Sequence, residues 1–445
     1  MSSDLLSIGR SGAKAARVAL DVTAQNIANA STSGYVRRSV RLSEVSSSGG
    51  WMRIGDVSLS GVRLDSVVRN ADLFRQAEVR RTGADGARAS TEVAGLENIE
   101  AAIEQANVFP AIVEFEGALQ RLVADPVDPS LRAAVIEDAR TMVRTFNIAD
   151  NALDAVGEGL RFEAADSVSQ VNRLAEELGR VNLRLARASD ASSDQTSLLD
   201  QRDTILEQLS QHSDITTSIA ADQTVEVRIG GASGPLLVSG GTPSSLAMAT
   251  MGDGTISFTL GAAPVTISGG GLAGRALALG KVAEVHDKLD TVAASLIAAA
   301  NTAQAGGAAL DGSGGAPFFT GTTAADMALS LTSGAQIATA PAGSGANSRN
   351  PANLDAFRTA LSASDPAGDM DALIFEVSST VRGRTITRDA LTTIADQARI
   401  ALSAQAGVSL DDEAVNLVRY QQAFQASGRV MQVAADLFDT LLGIR

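Results

Sequence analysis

The sequence predicts a mainly α-helical protein with a β-rich insertion, arranged as a layered rod. Three observations lead to this prediction. Both ends of the 445-residue chain are amphipathic and helix-patterned. Long helical patterns fill most of the chain between them. One internal stretch changes to short β-branched runs separated by glycine, proline and serine, which is typical of small antiparallel sheets with tight turns.

The C-terminal segment, residues 409–442, carries apolar residues at heptad spacing. One core position recurs every seven residues, as Leu410, Leu417, Phe424, Met431 and Phe438. The other core position gives Tyr420, Ser427, Ala434 and Leu441. Sustained heptads are typical of a coiled coil, whose helices need partners to bury their apolar seams. We predict that the partner is the N-terminal segment 5–27, in the same chain or in a neighbouring subunit.

The changes in pattern divide the chain into three predicted domains. Residues 1–60 and 405–445 form a terminal coiled-coil assembly domain. Residues 61–213 and 272–404 form a helical bundle. Residues 214–271 form a small β-rich insertion domain. A chain of this length is expected to contain about two to four domains.

Several boundaries inside the bundle follow from local signals. Helical patterns at 131–156 and 162–188 are predicted as separate helices. Residues 305–350 are so rich in glycine, alanine and serine that we expect loops, ordered only by packing on a neighbour. The final helical stretch starts at 353 and is expected to break near Gly383 and at Gly407.

Composition excludes several functional classes. The formal net charge of −15 argues against nucleic acid and against anionic membrane surfaces as partners. The absence of cysteine removes disulfides, thiolate catalysis and cysteine-ligated metals. The sequence has no apolar run of the roughly 18 residues that a membrane span needs, so we expect no membrane insertion. With 3% aromatic residues, the cores must consist mostly of Leu, Val, Ile and Ala.

Candidate catalytic residues are few. The two histidines, His212 and His286, have no metal-binding spacing and are interpreted as helix-surface residues. The acidic run 411–413 is interpreted as helix-start chemistry, with Ser409 as the N-cap and negative charges at the positive end of the helix dipole. We therefore predict no catalytic residue, no cofactor and no metal, and a protein that is not an enzyme.

Residues at the two ends match a known family. Asn26, Ile27, Ala28, Asn29, Thr32, Gly34 and Tyr35 resemble the N-terminal signature N-I-A-N-x-x-T-x-G-Y of bacterial flagellar rod, hook and hook-associated axial proteins. Residues 407–427 are similar to the C-terminal signature of the same family. Ser33 stands where the family usually has proline.

Internal residues narrow the resemblance to the members that join hook and filament. Residues 197–203 contain L-L-D-Q-R-D, and residues 269–274 match a G-G-x-L-x-G step. The stretch from Asn301 to Phe318 and Phe319 resembles a third segment, with Gln304 in place of the usual histidine. Hook and rod subunits place β-rich domains soon after the first helix, whereas a long helical block follows residue 70 here.

The resemblance implies a structural axial protein that assembles at the distal end of the hook and forms the hook–filament junction. It implies export through the flagellar type III pathway without a cleaved signal, and hence a secreted protein of the bacterial flagellum. The implied partners are further copies in a ring, hook subunits, the next junction protein (hook-associated protein 3) and an export chaperone on the C-terminal helix.

We predict that the assembly interface is built from the apolar and signature residues of both ends. These residues are Leu5, Ile8, Val22, Asn26, Ile27, Asn29, Gly34, Tyr35, Leu410, Leu417, Tyr420, Phe424, Met431, Phe438 and Leu441. Two alternatives stay open. One is a secreted adhesin or binding module that uses the β insertion. The other is a hook or rod subunit.

Overall fold

The computed structural model describes residues 2–32, 34–47, 58–188 and 193–442. Most of these residues are helical, so the prediction of a mainly α protein with a β insertion is confirmed. The helices are α1 (Ser2–Ala28), α2 (Leu73–Ala106), α3 (Val108–Leu122), α4 (Pro129–Leu185), α5 (Ser193–His212), α6 (Gly270–Ala305), α7 (Ala352–Ser364), α8 (Pro366–Ala406) and α9 (Leu410–Leu442). A short 3-10 helix spans Gly334–Gln336.

The strands form small antiparallel sheets. They are β1 (Arg38–Ser47) with β2 (Ser58–Arg69); β3 (Ile215–Ile219), β4 (Val225–Ile229), β5 (Leu236–Ser239) and β6 (Thr242–Pro243); β7 (Leu246–Thr250), β8 (Ile256–Leu260) and β9 (Ala263–Val265); β10 (Gly307–Ala308) with β13 (Ala340–Pro341); and β11 (Phe319–Thr320) with β12 (Ala328–Leu329). The β-rich insertion therefore comprises two separate sheets, β3–β6 and β7–β9.

The chain divides into two compact units. The first contains residues 1–83, 171–245 and 392–445, and the second contains residues 84–170 and 246–391. This division follows compactness alone, so the three predicted domains with boundaries at 60, 213, 271 and 404 stay a prediction.

In the first unit, the β1–β2 ribbon packs on α1 at a glycine. Gly61 has a φ of +98°, and a Cβ there would overlap the Ser11 hydroxyl and lie 3.2 Å from the Ile8 Cα. The Val62 N–H donates to the Ser11 Oγ at 3.2 Å. Glycine is needed here both for the left-handed backbone and for the close approach.

The sheet β3–β6 also belongs to the first unit. In β4, Val225, Val227 and Ile229 are buried and alternate with more exposed polar residues, which is the strand period of two. Asn182 of α4 fixes this sheet. Its Nδ2 donates to the carbonyls of Val225 at 2.8 Å and Gly240 at 2.7 Å, and its Oδ1 accepts from the Val225 N–H at 3.0 Å.

The second unit has one apolar core with an aromatic centre. The rings of Phe115, Phe318, Phe319 and Phe357 contact one another, with neighbouring centroids 4.8 to 6.3 Å apart and mostly edge to face. Each ring is at most 1% exposed, and full burial of such a side chain contributes about 1.5–3 kcal/mol. The core thus uses aromatic residues that the low overall aromatic content did not indicate.

The glycine-rich stretch 305–350 is ordered by this core. Asn301 of α6 accepts hydrogen bonds from the backbone N–H groups of Phe318 at 2.7 Å and Phe319 at 3.0 Å, and it donates to the Phe319 carbonyl at 2.8 Å. Gln304, 0% exposed, accepts from the Ala338 N–H at 3.1 Å and donates to the Gln336 carbonyl at 2.7 Å. An amide can make both bonds at once, so Gln304 serves this structure without a titratable group.

Backbone conformation and helix packing explain the glycines of the G-x-L-x-G segment at the start of α6. Gly270 opens α6 with a φ of +76°. A Cβ on Gly274 would overlap the Thr91 hydroxyl and the Arg88 carbonyl of α2. These glycines therefore allow α6 to start and to lie directly against α2.

Two expected helix breaks are absent. The patterns at 131–156 and 162–188 belong to the single helix α4. The predicted break near Gly383 was wrong, because α8 runs through it without interruption. A glycine costs a helix interior only about 0.5–1 kcal/mol, which a helix of 41 residues tolerates. The preceding break falls at Asp365, which has a φ of +41° just before Pro366. The break at Gly407 is confirmed.

A buried arginine joins α4 to the loop that contains the 3-10 helix. Arg132 is 1% exposed. Its guanidinium donates to the carbonyls of Pro126 at 2.5 Å, Gly334 at 2.9 Å and Ile337 at 3.0 Å, and to the Thr339 hydroxyl at 2.7 Å. All four acceptors are neutral, and burial lowers the pKa of Arg132.

We expect Arg132→Met to lower the free energy of unfolding by about 3 kcal/mol, because buried carbonyls lose their donors. Urea denaturation of the purified protein measures this loss. Arg121→Met is the matched control, since the Arg121 side chain is 53% exposed and lies 3.4 Å from Asp138, so its loss should stay below about 1 kcal/mol. Equal losses for the two variants would contradict a structural role for Arg132.

Candidate functional site

The side chain of Asn26 holds the turn that follows α1. It is 1% exposed, and its Oδ1 accepts from the Tyr35 hydroxyl at 2.8 Å and from the Arg38 N–H at 3.0 Å. Its Nδ2 donates to the Arg38 carbonyl at 2.8 Å. An amide that donates to and accepts from one backbone residue replaces a strand partner. Asn26 therefore determines where β1 begins, at residue 38.

The turn itself requires a glycine. Asn29 closes α1 by donating from its side chain to the Gln25 carbonyl at 2.9 Å. Gly34 then adopts a φ of +79°, and a Cβ on it would lie 2.5 Å from the Thr204 Oγ1 of α5. Both the backbone conformation and the nearby helix exclude a side chain at this position.

Two arginines from the ribbon meet two aspartates from α5. Arg38 and Arg69 are paired in the β1–β2 register. Arg38 lies 3.0 Å from Asp200, and Arg69 lies 2.7 Å from Asp200 and 2.9 Å from Asp203. These side chains are only 6–15% exposed. The two carboxylates come from the L-L-D-Q-R-D segment, at a spacing of three that places them on one face of the helix.

Asp203 has two further donors. The Arg202 Nη2 lies 2.8 Å and the Gln76 Nε2 2.9 Å from its carboxylate. Burial alone would raise the pKa of Asp203, but the Arg202 and Arg69 guanidinium groups lower this pKa by more, so it lies below its ordinary value. The charged form of Asp203 is therefore the form that stabilises the fold.

The start of α9 joins the same region. The Arg37 Nε lies 2.7 Å from the Glu413 carboxylate, and Glu413 is 1% exposed. The Arg37 backbone N–H donates to the Ala406 carbonyl at 2.9 Å. Ser409 accepts from the Asp412 N–H at 3.3 Å, which agrees with its predicted N-cap role. Glu413, by contrast, acts as an ion-pair partner between the two ends of the chain.

We call this cluster the terminal hub. Its members are Asn26, Tyr35, Arg37, Arg38, Arg69, Asp200, Asp203 and Glu413. The Arg38 guanidinium also lies over the Tyr35 ring, 5.0 Å from its centroid, and burial raises the pKa of Tyr35. The hub joins both chain ends to α5 by charged and polar contacts, which fix the geometry of this region.

Beyond the hub, α1 and α9 pack antiparallel through small residues. A Cβ on Gly9 would lie 2.7 Å from the Met431 Cγ, and one on Gly12 would lie 2.7 Å from the Ser427 Oγ. Ala19 of α1 and Ala434 of α9 are 1% and 2% exposed. The predicted pairing of the two terminal segments is thus present within one chain, with small residues at its centre.

The structure places the predicted interface residues in two groups. The buried or half-buried residues are Ile8, Val22, Asn26, Asn29, Tyr35, Leu417, Tyr420 and Met431. The exposed residues are Leu5, Ile27, Gly34, Leu410, Phe424 and Phe438. The side chain of Leu441 lies outside the described residues. Contact of these residues with neighbouring subunits stays a prediction.

Helix α9 has a second apolar stripe. Val415, Val418, Val430, Val433 and Leu437 are between 38% and 69% exposed. At 3.6 residues per turn they flank the residues that face α1, and Val430 and Leu437 each lie about one turn from the buried Ala434. Exposed apolar surface of this kind is typical of an interaction site.

Sequence reasoning found Ser427 and Ala434 of the small-residue seam, but it missed Gly9, Gly12 and the hub ion pairs. A heptad template selects large apolar side chains, so it passes over Gly9 and Gly12. The ion pairs join residues up to 376 positions apart, and no local pattern contains both partners. The spacing of Asp200 and Asp203 on one helix face was a usable signal, since paired buried carboxylates require cations.

The described residues contain no group of three or more His, Cys, Asp or Glu side chains that could hold a metal ion. His286 lies between two carboxylates, with its Nδ1 3.3 Å from Asp150 and its Nε2 3.5 Å from Asp154. Within the same described ranges, no helix combines the length and apolar character needed to cross a bilayer.

We expect Asp203→Ala to lower the free energy of unfolding by about 3–5 kcal/mol, because the buried Arg202 loses its carboxylate and Arg69 keeps only Asp200. Chemical denaturation measures the loss. Asp194→Ala on the same helix is the control, because the Asp194 side chain is 73% exposed and 3.8 Å from Arg184. Its loss should stay within about 1 kcal/mol, and a similar loss in both variants would refute the hub as an anchor.

The effect of Asp203→Ala should depend on pH. Because the fold lowers the pKa of Asp203, its contribution is complete above the unfolded value of about 3.9 and is lost as pH falls through the lower folded value. The stability difference between parent and variant should be constant from about pH 7 to 5 and should shrink below about pH 4. Denaturation curves measured across this pH range test the direction of the change. A stability difference between parent and variant that widens in acid would contradict the prediction.

Three family models match parts of this chain. The family model described as the flagellar hook-associated protein FlgK helical domain matches residues 93–319, half of the chain. A flagella basal body rod protein model matches residues 6–35, which contain α1 and the turn after it. A flagellar basal body rod FlgEFG C-terminal model matches residues 403–444, which contain α9.

The individual relatives that match this chain are all called flagellar hook-associated protein 1. Flagellar hook-associated protein 1 of Salmonella typhimurium strain LT2 is 28% identical over 252 residues, covering 55% of this chain and 44% of that protein. The Escherichia coli K12 protein of that name is 27% identical, with 55% and 45% covered. The chain thus spans less than half the length of these relatives. The Bacillus subtilis strain 168 protein is 25% identical, with 98% and 97% covered.

A solved structure, the flagellar hook junction protein FlgK from Burkholderia pseudomallei, matches with a TM-score of 0.49 and 22% identity, over 55% of this chain and 46% of that one. The family model that matches half of the chain decides the assignment. The chain belongs to the family of flagellar hook-associated proteins that contain the FlgK helical domain.

Proposed function

We propose that this protein is a structural axial subunit of the bacterial flagellum that assembles at the distal end of the hook and forms the hook–filament junction. The observation that carries the proposal is the apolar surface of α9 that extends beyond its contact with α1. Next to the residues that pack on α1, it presents Val415, Val418, Val430, Val433 and Leu437 to solvent. A helix whose apolar surface is wider than one partner covers needs a second partner.

The proposed partners are those that the family resemblance implies, and the exposed surface of α9 is where we expect copies of the chain to meet. Further copies of the chain, arranged in a ring, cover the exposed side of α9. Hook subunits contact the ring on one side, and the next junction protein, hook-associated protein 3, contacts it on the other. An export chaperone binds α9 before assembly, because the same apolar stripe would otherwise be exposed in the cell.

The proposed route is secretion through the flagellar type III pathway without a cleaved signal, and the proposed role includes no catalysis. The hub supports a mechanical role, since its buried charges hold the two chain ends to α5 in one geometry. A hook or rod subunit and an adhesin are less well supported, because the match to a FlgK helical domain extends over residues 93–319.

The proposal is tested by electron microscopy of cells that lack this gene, with flagellin assayed in the culture medium. Bare hooks together with flagellin lost to the medium are the expected result. Intact filaments would refute the junction role. Absent hooks would instead indicate a hook or rod subunit.

Complementation of these cells tests the seam. Ala434→Asp should abolish filament attachment, because Ala434 is 2% exposed against α1 and a buried unpaired carboxylate costs several kcal/mol. Ala435→Asp is the matched control one residue away, on an exposed position, and should retain attachment. Flagellin in the medium and filament counts measure both. Filaments restored by Ala434→Asp would show that the α1–α9 seam is not needed.

A further inference from the structure

A polar cavity of about 480 Å³ lies in the first unit beside the terminal hub. Its walls come from the turn after α1, from α2, from α5 and from the end of α8 with the loop that leads to α9. Small-ligand pockets commonly measure about 300–1,000 Å³, so this cavity has room for a side chain. Two hub residues, Tyr35 and Asp203, are among the residues that line it.

Gln76 supplies an unsatisfied acceptor to the cavity. It lines the wall and is 7% exposed. Its Nε2 donates to the Asp203 carboxylate at 2.9 Å, which fixes the orientation of the amide. The Oε1 has no hydrogen-bond partner among the described residues. A buried acceptor without a donor costs about 1–3 kcal/mol, so an occupant that brings an N–H group would be favoured.

Arg80 supplies donors one helical turn away. It is four residues after Gln76 on α2, so both side chains lie on the same face of the helix, and it also lines the cavity. Its hydrogen bond to the Thr217 hydroxyl is long, at 3.4 Å. Burial lowers the pKa of Arg80, and the nearby Arg202 adds to that effect. A guanidinium carries five N–H groups, so Arg80 can donate to an occupant as well as to Thr217.

The Gln76 acceptor and the Arg80 donors together favour one kind of ligand group in the cavity. An acceptor and a donor one turn apart fit a group that carries an N–H and a C=O, which is a carboxamide. A carboxylate would face the Gln76 Oε1 and the carboxylates of Asp203 and Glu207. An ammonium group would face Arg80 and Arg399, which also line the cavity. A neutral amide avoids both repulsions.

This chain displays the matching group on α9. Gln421, Gln422 and Gln425 are all exposed, and Gln422 and Gln425 line a shallow surface depression. We propose that the cavity receives a glutamine carboxamide from this face of α9 in a second copy of the chain. In that contact the amide N–H donates to the Gln76 Oε1, and the amide oxygen accepts from the Arg80 guanidinium. The inference rests on the proposed function, because only assembled copies bring the two surfaces together.

The absence of cysteine from the chain makes disulfide cross-linking a direct test. Two tagged versions are expressed together in cells that lack the gene, one with Ser403→Cys at the cavity wall and one with Ala426→Cys beside the glutamines. Hook–filament complexes are purified and oxidised, and the two tags are followed on denaturing gels. The expected result is a mixed dimer in assembled complexes and none in the purified monomers.

The control replaces Ala426→Cys by Asp439→Cys, which lies 13 positions further along the helix, or roughly 20 Å. This pair should give no dimer. Complexes that contain both the Ser403 and Ala426 versions but yield no dimer would overturn the inference and leave the junction role intact. Complexes from which the protein is missing would overturn the proposed function, and the inference with it.

A second variant tests the chemistry of the occupant. Changing Gln421, Gln422 and Gln425 together to glutamate in the Ala426→Cys version keeps size but brings negative charge to the cavity. The mixed dimer should fall by about tenfold, because the new carboxylates would face the unpaired Gln76 Oε1 and the carboxylates of Asp203 and Glu207. Glutamine-to-asparagine changes at the same positions keep the amide and should retain most of the dimer. An unchanged yield with glutamate would overturn the carboxamide assignment.

Discussion

The first unit depends on two carboxylates of α5, Asp200 and Asp203, and on the arginines that surround them. Four of these groups are nearly removed from solvent, with Arg38 and Arg69 on the ribbon side. Taking charges out of water costs several kcal/mol for each ion, and only close pairing offsets this cost. The network therefore admits few alternative geometries. The ribbon, α5 and the turn after α1 must meet in one arrangement, or charges are left buried without partners.

This constraint explains residue choices that look unrelated in the sequence. Asn26 is needed because the backbone at Arg38 must be held where the guanidinium reaches Asp200. Gly34 is needed because the same turn passes within contact distance of Thr204 on α5. Glu413 extends the arrangement to α9 through Arg37. The family-signature residues at the two chain ends and the aspartates of α5 are therefore parts of one ion-paired cluster, the terminal hub.

Local patterns were sufficient for the helical frame and for the two terminal helices, because heptads and helix periodicity are written within a few turns of chain. They failed where the structure depends on residues that are far apart in the sequence or on a whole helix. The continuity of α8 through Gly383 depends on the whole helix outweighing one glycine. The terminal hub could not be derived from the sequence, because Arg69 and Asp203 are 134 positions apart. The aromatic centre of the second unit was missed because Phe318 and Phe319 lie in a glycine-rich stretch whose composition indicates loops.

The terminal pair shows how close packing within one chain can leave surface for others. Gly9 and Gly12 let α9 approach α1 so closely that small residues occupy the centre of the seam. Large side chains such as Phe424 and Phe438 then remain 43% and 53% exposed. Since hydrophobic stabilisation scales with buried apolar area, a seam of small residues contributes little by itself. The hub fixes one end of this pair by charge, and apolar side chains along the rest of α9 stay exposed. In the proposed ring, burial of this surface by neighbouring copies would add the stabilisation that the seam itself lacks.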